Sequence, residues 1–329
     1  MNIPEHWAQA RSQFKRRDKQ ITVKRFGWSN TSAAEAQAMA QARADEALLR
    51  IQAGELLGRS EKKTAYNGSE GVPIREEVLS RHGSTVITRN GYGAQCLNTP
   101  DVLIADMDFP TRPSKRWANG VKWAGFALLA LSVAAGLLQG SKAVFGAGML
   151  FTLLVSALLT SPAWRLAVRL RGGNEGMAER RIAGFLRSHP AWAIRQYRTP
   201  AGLRLIATHQ RFDARSPEVQ AFFTAIEADP VYVRMCLNQQ CFRARLTAKP
   251  WRIAMPAPSR PRPGVWPVNP LHMAERQAWI KRYETQASGF AACHFVAALG
   301  TGFQHIDVMP VVELHDRETR AMQKHLAMA

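Results

Sequence analysis

Two aspartates one residue apart close an apolar run in the middle of the chain: Val102-Leu103-Ile104-Ala105-Asp106-Met107-Asp108. Side chains alternate along a strand, so acids at i and i+2 share a face. Carboxylates held that close repel each other unless a cation lies between them. Asp106 and Asp108 are therefore candidate ligands for Mg2+ or Mn2+, hard cations that take oxygen donors and bridge triphosphates. The plainer reading is a strand end that solvates both acids, with Phe109-Pro110 closing it.

Basic residues recur in two later strand-like stretches. YRTPAGLRLIATH carries Arg198, Arg204 and His209, and CFRARLTAK carries Arg243, Arg245 and Lys249. Guanidinium forks match phosphate oxygens two at a time. Placed beside the acidic strand, Arg198, Arg204, Arg243, Arg245 and Lys249 would bind phosphate while Asp106 and Asp108 held the metal. His209 would be a further catalytic group. The alternative is that alternating arginines simply solvate the open face of an antiparallel sheet. A lone histidine at a strand end is more often a polar surface residue than a catalyst.

The elements that must position these residues are interrupted by an apolar block. Trp123–Gln139 and Ala143–Thr160 are nearly uncharged and are separated only by Gly140, Ser141 and Lys142. A membrane-spanning helix needs roughly 20 apolar residues, with a lower limit of about 17. The block predicts a transmembrane helical hairpin, with spans near 121–139 and 143–161. A buried helical pair would carry a polar stripe, and these runs have almost none. Arg112, Lys115, Arg116 and Lys122 precede the hairpin, Arg165, Arg169 and Arg171 follow it, and the turn holds Lys142 alone. Cations favour the cytoplasmic side of short loops. The expected location is the inner membrane, with two spans and both termini cytoplasmic. No apolar core of a signal peptide is visible in the first twenty residues.

With the hairpin set aside, the middle of the chain predicts a strand at VLIADMD, a helix at AERRIAGFL and strands at WAIRQYRT and GLRLIATH. A helix at EVQAFFTAI and a strand at YVRMCL complete the series. That βαββαβ order is the one found in RRM-like or ferredoxin-like antiparallel sheets. Residues 84–116 supply the first strands of this α+β domain, 117–164 the hairpin and 165–249 the rest of the sheet. The N-terminal 1–83 region predicts a basic helical start, then a strand at ITVKRF and an alanine-rich helix. Ser32 and Glu35 are spaced as a capping box at the head of that helix. Lys24, Arg25, Phe26 and Trp28 are either the head of a small nucleic-acid module or an ordinary packing unit. Asn67-Gly68 signals a turn, and the stretch after Pro73 suggests a short helix. Residues 250–270 form a proline-rich loop, and 271–329 a C-terminal helix, strands and tail.

Forty-four Lys and Arg oppose 25 Asp and Glu, a net charge of +19. Such an excess implies a polyanionic partner: nucleic acid, nucleotide or anionic membrane lipid. Cys96, Cys236, Cys241 and Cys293 lack the C-x-x-C spacing of zinc ribbons. His294, His305 and His315 lie about ten residues apart, unlike a local ligand motif.

The order of these motifs resembles the catalytic palm of the archaeo-eukaryotic primase–polymerase superfamily. There an apolar strand ending in Asp-x-Asp precedes a T-x-x-G-x-H hairpin and a later apolar-Asp motif on an RRM-like sheet. VLIADMD looks like the first motif. YRTPAGLRLIATH looks like the second, with Arg204 where histidine often stands and His209 five residues on. VVELHD, ending in Asp316, looks like the third. The resemblance implies a metal-dependent nucleotidyl or phosphoryl transferase with Asp106, Asp108 and Asp316 on the metal. A weaker resemblance, to haloacid-dehalogenase phosphatases, lacks the Gly-Thr after the second acid. The chain is also similar to bacterial membrane proteins that share its RFGWS, YNG-x-x-GVPIREEV and CLNTPDVL stretches, which implies no activity. The expectation is a membrane-anchored cytoplasmic domain binding nucleotide or nucleic-acid phosphate through a divalent metal. The alternative is a non-catalytic membrane protein whose basic face binds lipid head groups or an acidic partner.

Overall fold

Alternation at the N-terminus makes strands, not a helix. The computed structural model describes residues 1–16, 19–61, 71–256, 258 and 266–329, with Lys19 described by its backbone alone. The turn expected at Asn67-Gly68 and most of the Pro-rich loop after Ala257 lie outside the described residues. β1 (His6–Arg16) and β2 (Lys19–Ser29) pair antiparallel, with Trp7 opposite Trp28 and Arg11 opposite Lys24. Ala8, Ala10, Ser12 and Phe14 line one face and Gln9, Arg11, Gln13 and Lys15 the other. Small and polar side chains on the covered face hide that period of two, which is why the first residues suggested a helix.

Helix α1 (Ala33–Gln52) packs on the covered face. Ser32 caps it by accepting from the Glu35 N–H. Only half of the capping box forms, because the Glu35 carboxylate accepts from Ser29 Oγ at 2.6 Å instead. Ala36, Ala40, Ala44 and Ala47 are buried against Ala10, Ile21 and Val23. Gly27 meets the helix backbone at Ala36 and Ala40, where a Cβ would have no room.

Next come β3 (Glu77–His82), β4 (Thr85–Arg89), β5 (Gln95–Thr99) and β6 (Ile104–Asp108). The segment after Pro73 is extended and leads into β3 rather than forming a short helix. Four helices follow: α2 (Lys115–Leu138), α3 (Lys142–Thr160), α4 (Pro162–Leu170) and α5 (Gly173–Ser188). The remainder is β7 (Ala193–Arg198), β8 (Gly202–Ala207), α6 (Pro217–Ile226), α7 (Pro230–Gln239), β9 (Phe242–Arg245), α8 (Met273–Ala287), β10 (Phe290–Ala291), β11 (His294–Gly300), α9 (Met309–Thr319) and β12 (Ala327–Met328). The chain forms two units, Met1–Met107 with Leu186–Ala329, and Asp108–Phe185.

The smaller unit holds two helices that are long and apolar enough to cross a membrane, α2 and α3. Their 24 and 19 residues correspond to lengths of roughly 36 and 29 Å. They pack antiparallel through small residues, a geometry that suits apolar helices because backbones approach closely. A Cβ on Gly136 would meet Phe145, and one on Gly125 would meet Ser156 Oγ at 2.8 Å. Trp117 Nε1 donates to the Leu159 carbonyl at 3.0 Å. The outward faces carry exposed Trp123, Phe126, Leu131, Leu137, Leu150 and Leu153.

In the larger unit, one four-stranded sheet has the order β11-β7-β8-β6. VLIADMD, WAIRQYRT and GLRLIATH thus share a sheet although the hairpin divides them in sequence. β7 and β8 pair antiparallel, Tyr197 opposite Arg204, around a turn closed by Thr199 and Gly202. The Ala207 N–H donates to the Leu103 carbonyl at 3.0 Å, joining β8 to the strand before the acids. A second antiparallel sheet has the order β3-β4-β5-β9. YVRMCLNQQ is not the strand its Val and Tyr content suggested but helix α7. Asp229 caps it, accepting from the Val231 N–H at 3.0 Å, and Pro230 fills the first helical position. Tyr232, Met235, Cys236 and Gln239 then bury one face at helical spacing. Consequently β9 joins β5 rather than β6, and β11 supplies the fourth strand beside β7. Trp192, Phe212 and Phe222 form an aromatic core under this sheet, with ring centroids 4.9 to 5.2 Å apart.

Candidate functional site

The β7–β8 register places Arg195, Tyr197 and Arg204 on one face of the sheet, with Asp106 beside them on β6. Helix α9 lies over them and contributes His315 and Asp316. Arg204 grips Asp106 with two prongs, Nε to Oδ1 at 2.8 Å and Nη2 to Oδ2 at 3.1 Å. Its third nitrogen, Nη1, donates to the Arg245 carbonyl at 3.0 Å and lies 3.3 Å from His315 Nε2. His315 Nδ1 is 3.0 Å from Asp316 Oδ1, and Asp316 Oδ2 accepts from Arg195 Nη2 at 2.7 Å. Arg195 Nε donates to the Tyr197 hydroxyl at 2.8 Å, and its guanidinium lies 4.3 Å from the Phe295 ring centroid. Cys293 Sγ is 3.9 Å from His315 Nε2. Cys293 and His315 are fully buried.

Burial should strip charge from these groups, and their neighbours restore it. Burial lowers the Arg204 pKa, but the Asp106 carboxylate outweighs it and the net direction is up. Burial raises the Asp316 pKa, and the His315 and Arg195 contacts more than reverse that. Burial alone would keep His315 neutral, yet Cys293 and Asp316 turn its shift upward. Burial raises the Cys293 thiol, and His315 and Arg204 pull it below its ordinary value. For Cys241 burial outweighs the nearby Arg243, and the thiol is pushed up to about 12.

Two of the expected metal ligands, Asp106 and Asp316, fall within this one network. Asp106 is held by Arg204, and Asp316 by Arg195 and His315 within helix α9. Asp108 is exposed at the last position of β6. Among the described residues, no group of three or more His, Cys, Asp or Glu side chains is arranged to hold a metal ion. The expected phosphate ligands are engaged as well. Arg243 and Glu76 form a buried pair at 2.6 Å, with Asn98 Oδ1 accepting from Arg243 at 3.1 Å. Arg198 closes its own turn by donating to the Thr199 and Gly202 carbonyls. Arg245 donates to the Thr247 and Ala329 carbonyls, and the Lys249 ammonium lies 5.5 Å from the Trp251 ring centroid. His209 packs between Trp192 and Phe212, accepts from the Ala193 N–H at 3.3 Å, and has its pKa lowered by burial.

Compared with protein families, curated proteins and solved structures, the chain matches none. The chemistry must therefore be taken from the geometry. Three arginines of the sheets, the buried Arg204 and Arg243 and the partly buried Arg195, each have a carboxylate of their own. Such pairs, once fully hydrogen-bonded, fix a unique packing of the groups around them. Arg195, Tyr197, Cys293 and His315 belong to this network and were not among the expected site residues. The available signals were the i, i+2 spacing in AIRQYR and the His315-Asp316 neighbours.

Proposed function

We propose that this chain is a two-span inner-membrane protein with both termini cytoplasmic, whose α+β body is a binding domain rather than an enzyme. The observation that carries this reading is the uncovered apolar surface of α2 and α3. A soluble core helix would bury those side chains, since each Leu or Phe left in water forgoes about 1.5–3 kcal/mol. Cations on both outer flanks, against a single Lys142 at the turn, support cytoplasmic termini. Helix α4 extends the argument. Arg165 and Arg169 sit one turn apart, while Leu166 and Leu170 form an exposed apolar stripe beside them. A helix of that pattern suits the plane of an anionic membrane surface, with lipid head groups as its partner. Reporter fusions at each terminus and at Lys142 test the topology. Terminal reporters should read as cytoplasmic and the turn reporter as external. A terminus on the far side, or intact protein in the soluble fraction without detergent, would refute the reading.

A second reading, metal-dependent binding or transfer of nucleotide on a primase-like palm, is favoured by the strand order β6-β8-β7. That is the order of the first three strands of an RRM-like sheet. In this reading Arg204 would release Asp106 so that Asp106, Asp108 and Asp316 could take Mg2+ or Mn2+. Calorimetric titration of nucleoside triphosphate with Mn2+ separates the two readings, because only the second needs the acids for affinity.

A further inference from the structure

We infer that the outer face of the β1–β2 ribbon is a binding surface for duplex nucleic acid, with DNA entered through its major groove. The face away from α1 presents Gln9, Arg11, Gln13 and Lys15 from β1. From β2 it presents Gln20, Thr22 and Lys24. All are exposed except Thr22, which is half-buried. No carboxylate stands on these positions. Arg11 lies directly across from Lys24 in the register. Like charges opposed on neighbouring strands destabilise a sheet, and neither side chain has an ion pair among the described residues. The arrangement gains only when an anion lies over it.

The shape and chemistry of this face favour duplex DNA over a membrane. A two-stranded antiparallel ribbon fits the major groove, which is about 12 Å wide. Gln9 to Lys15 spans six residues, roughly 20 Å of ribbon. Gln reads adenine edges, Arg and Lys read guanine, and Thr contacts the thymine methyl. From Arg11 to Lys15, every position on this face and its partner on β2 carries one of those side chains. Membrane-surface elements instead pair their cations with large apolar side chains, and from Arg11 to Lys15 this face has none. The apolar end of the face is already closed. Trp7 and Trp28 pack at 5.6 Å, and the Arg75 guanidinium covers Phe26 at 3.6 Å. The backing is rigid, because Gly27 seats the ribbon directly on the α1 backbone. This surface shares no residue with the buried network around Arg204.

The test uses the full chain in phosphatidylcholine nanodiscs and a fluorescein-labelled 30-base-pair duplex of mixed sequence, with anisotropy read across a salt series. A triple variant, Arg11→Gln with Lys15→Gln and Lys24→Gln, removes the cations of the face. A control triple, Lys281→Gln with Arg282→Gln and Lys324→Gln, removes three exposed cations elsewhere and changes net charge equally. Wild type should bind with a dissociation constant of about 10⁻⁴ to 10⁻⁶ M or tighter near physiological salt. The ribbon variant should lose roughly one unit of salt slope per phosphate contact removed, about three in all, and at least about ten-fold in affinity at low salt. The control should stay near wild type. Equal losses in the two triples would reduce the effect to bulk charge and overturn the proposal. So would wild type that fails to bind the duplex, or ribbon-dependent binding to phosphatidylglycerol vesicles without binding to DNA.

Discussion

Asp106→Asn separates a structural ion pair from a metal ligand. Arg204 exposes 4% of its side chain and Asp106 30%. Asparagine keeps the volume and one acceptor oxygen but removes the charge, leaving the guanidinium buried without a counterion. Removing one member of a buried ion pair costs about 3–5 kcal/mol. A Coulomb check gives about 4 kcal/mol for charge centres 4 Å apart at an effective dielectric of 20. The partial exposure of Asp106 brings the expected loss to about 3 kcal/mol, near the bottom of that range. For a unit of this size that corresponds to a fall in melting midpoint of roughly 6–12 °C. The assay is thermal unfolding in nanodiscs, followed by tryptophan fluorescence with and without Mn2+. Asp106→Asn with Arg204→Met removes both charges and should recover part of the loss, a coupling of roughly 1–3 kcal/mol. An unchanged midpoint in Asp106→Asn would refute the reasoning. So would wild-type stabilisation by Mn2+ that Asp106→Asn abolishes, because the carboxylate would then be serving the metal.

Three further outcomes are expected. Arg243→Met strands Glu76, which exposes 2% of its side chain, and should cost about 3–5 kcal/mol in chemical unfolding; a cost near zero would contradict the pairing. Asp316 has a folded pKa below its ordinary value, so its contribution is present above the unfolded pKa of about 4 and is lost as pH falls through the folded value. Asp316→Asn should therefore be less stable than wild type by a constant amount at neutral pH, with the gap closing on acidification, and a gap that widens in acid would contradict the assignment. Gly27→Ala drives a methyl into the α1 backbone and should cost about 1–3 kcal/mol or more, read as faster hydrogen exchange in β1, β2 and α1 and not in β7 or β8.

How much of this was legible in the sequence depended on whether the signal was local. The two apolar helices were legible because runs of 17 and 18 nearly uncharged residues form a strong local signal. Strands β6, β7 and β8 were legible because their apolar runs are short and bounded by turn residues. Strand β2 was legible at ITVKRF, but its partner β1 was missed because its covered face is built from Ala, Ser and Phe, and its open face from Gln, Arg and Lys. Helix α7 was missed because Val231, Tyr232 and Val233 favour strands, while the decisive Asp229-Pro230 start is only two residues long. Tertiary burial of Tyr232, Met235 and Cys236 then overrode the local preference.

The site shows a sharper limit. Arginines at alternate strand positions look the same whether they face a phosphate or a carboxylate of their own chain, and Arg204 and Asp106 are 98 positions apart. What distinguishes the cases is the count of acids buried with them. Arg195, Arg204 and Arg243 each meet one, at Asp316, Asp106 and Glu76. These pairs cancel and contribute nothing to the excess of +19. The excess therefore belongs to cations outside this network, on the segments flanking α2 and α3, on the β1–β2 ribbon and across the remaining surface. Long-range attraction of a polyanion depends on those unpaired charges. A search for the partner should accordingly begin at Arg11, Lys15, Lys24, Arg165 and Arg169, and not at the arginines of the sheet, which first drew attention because of their spacing.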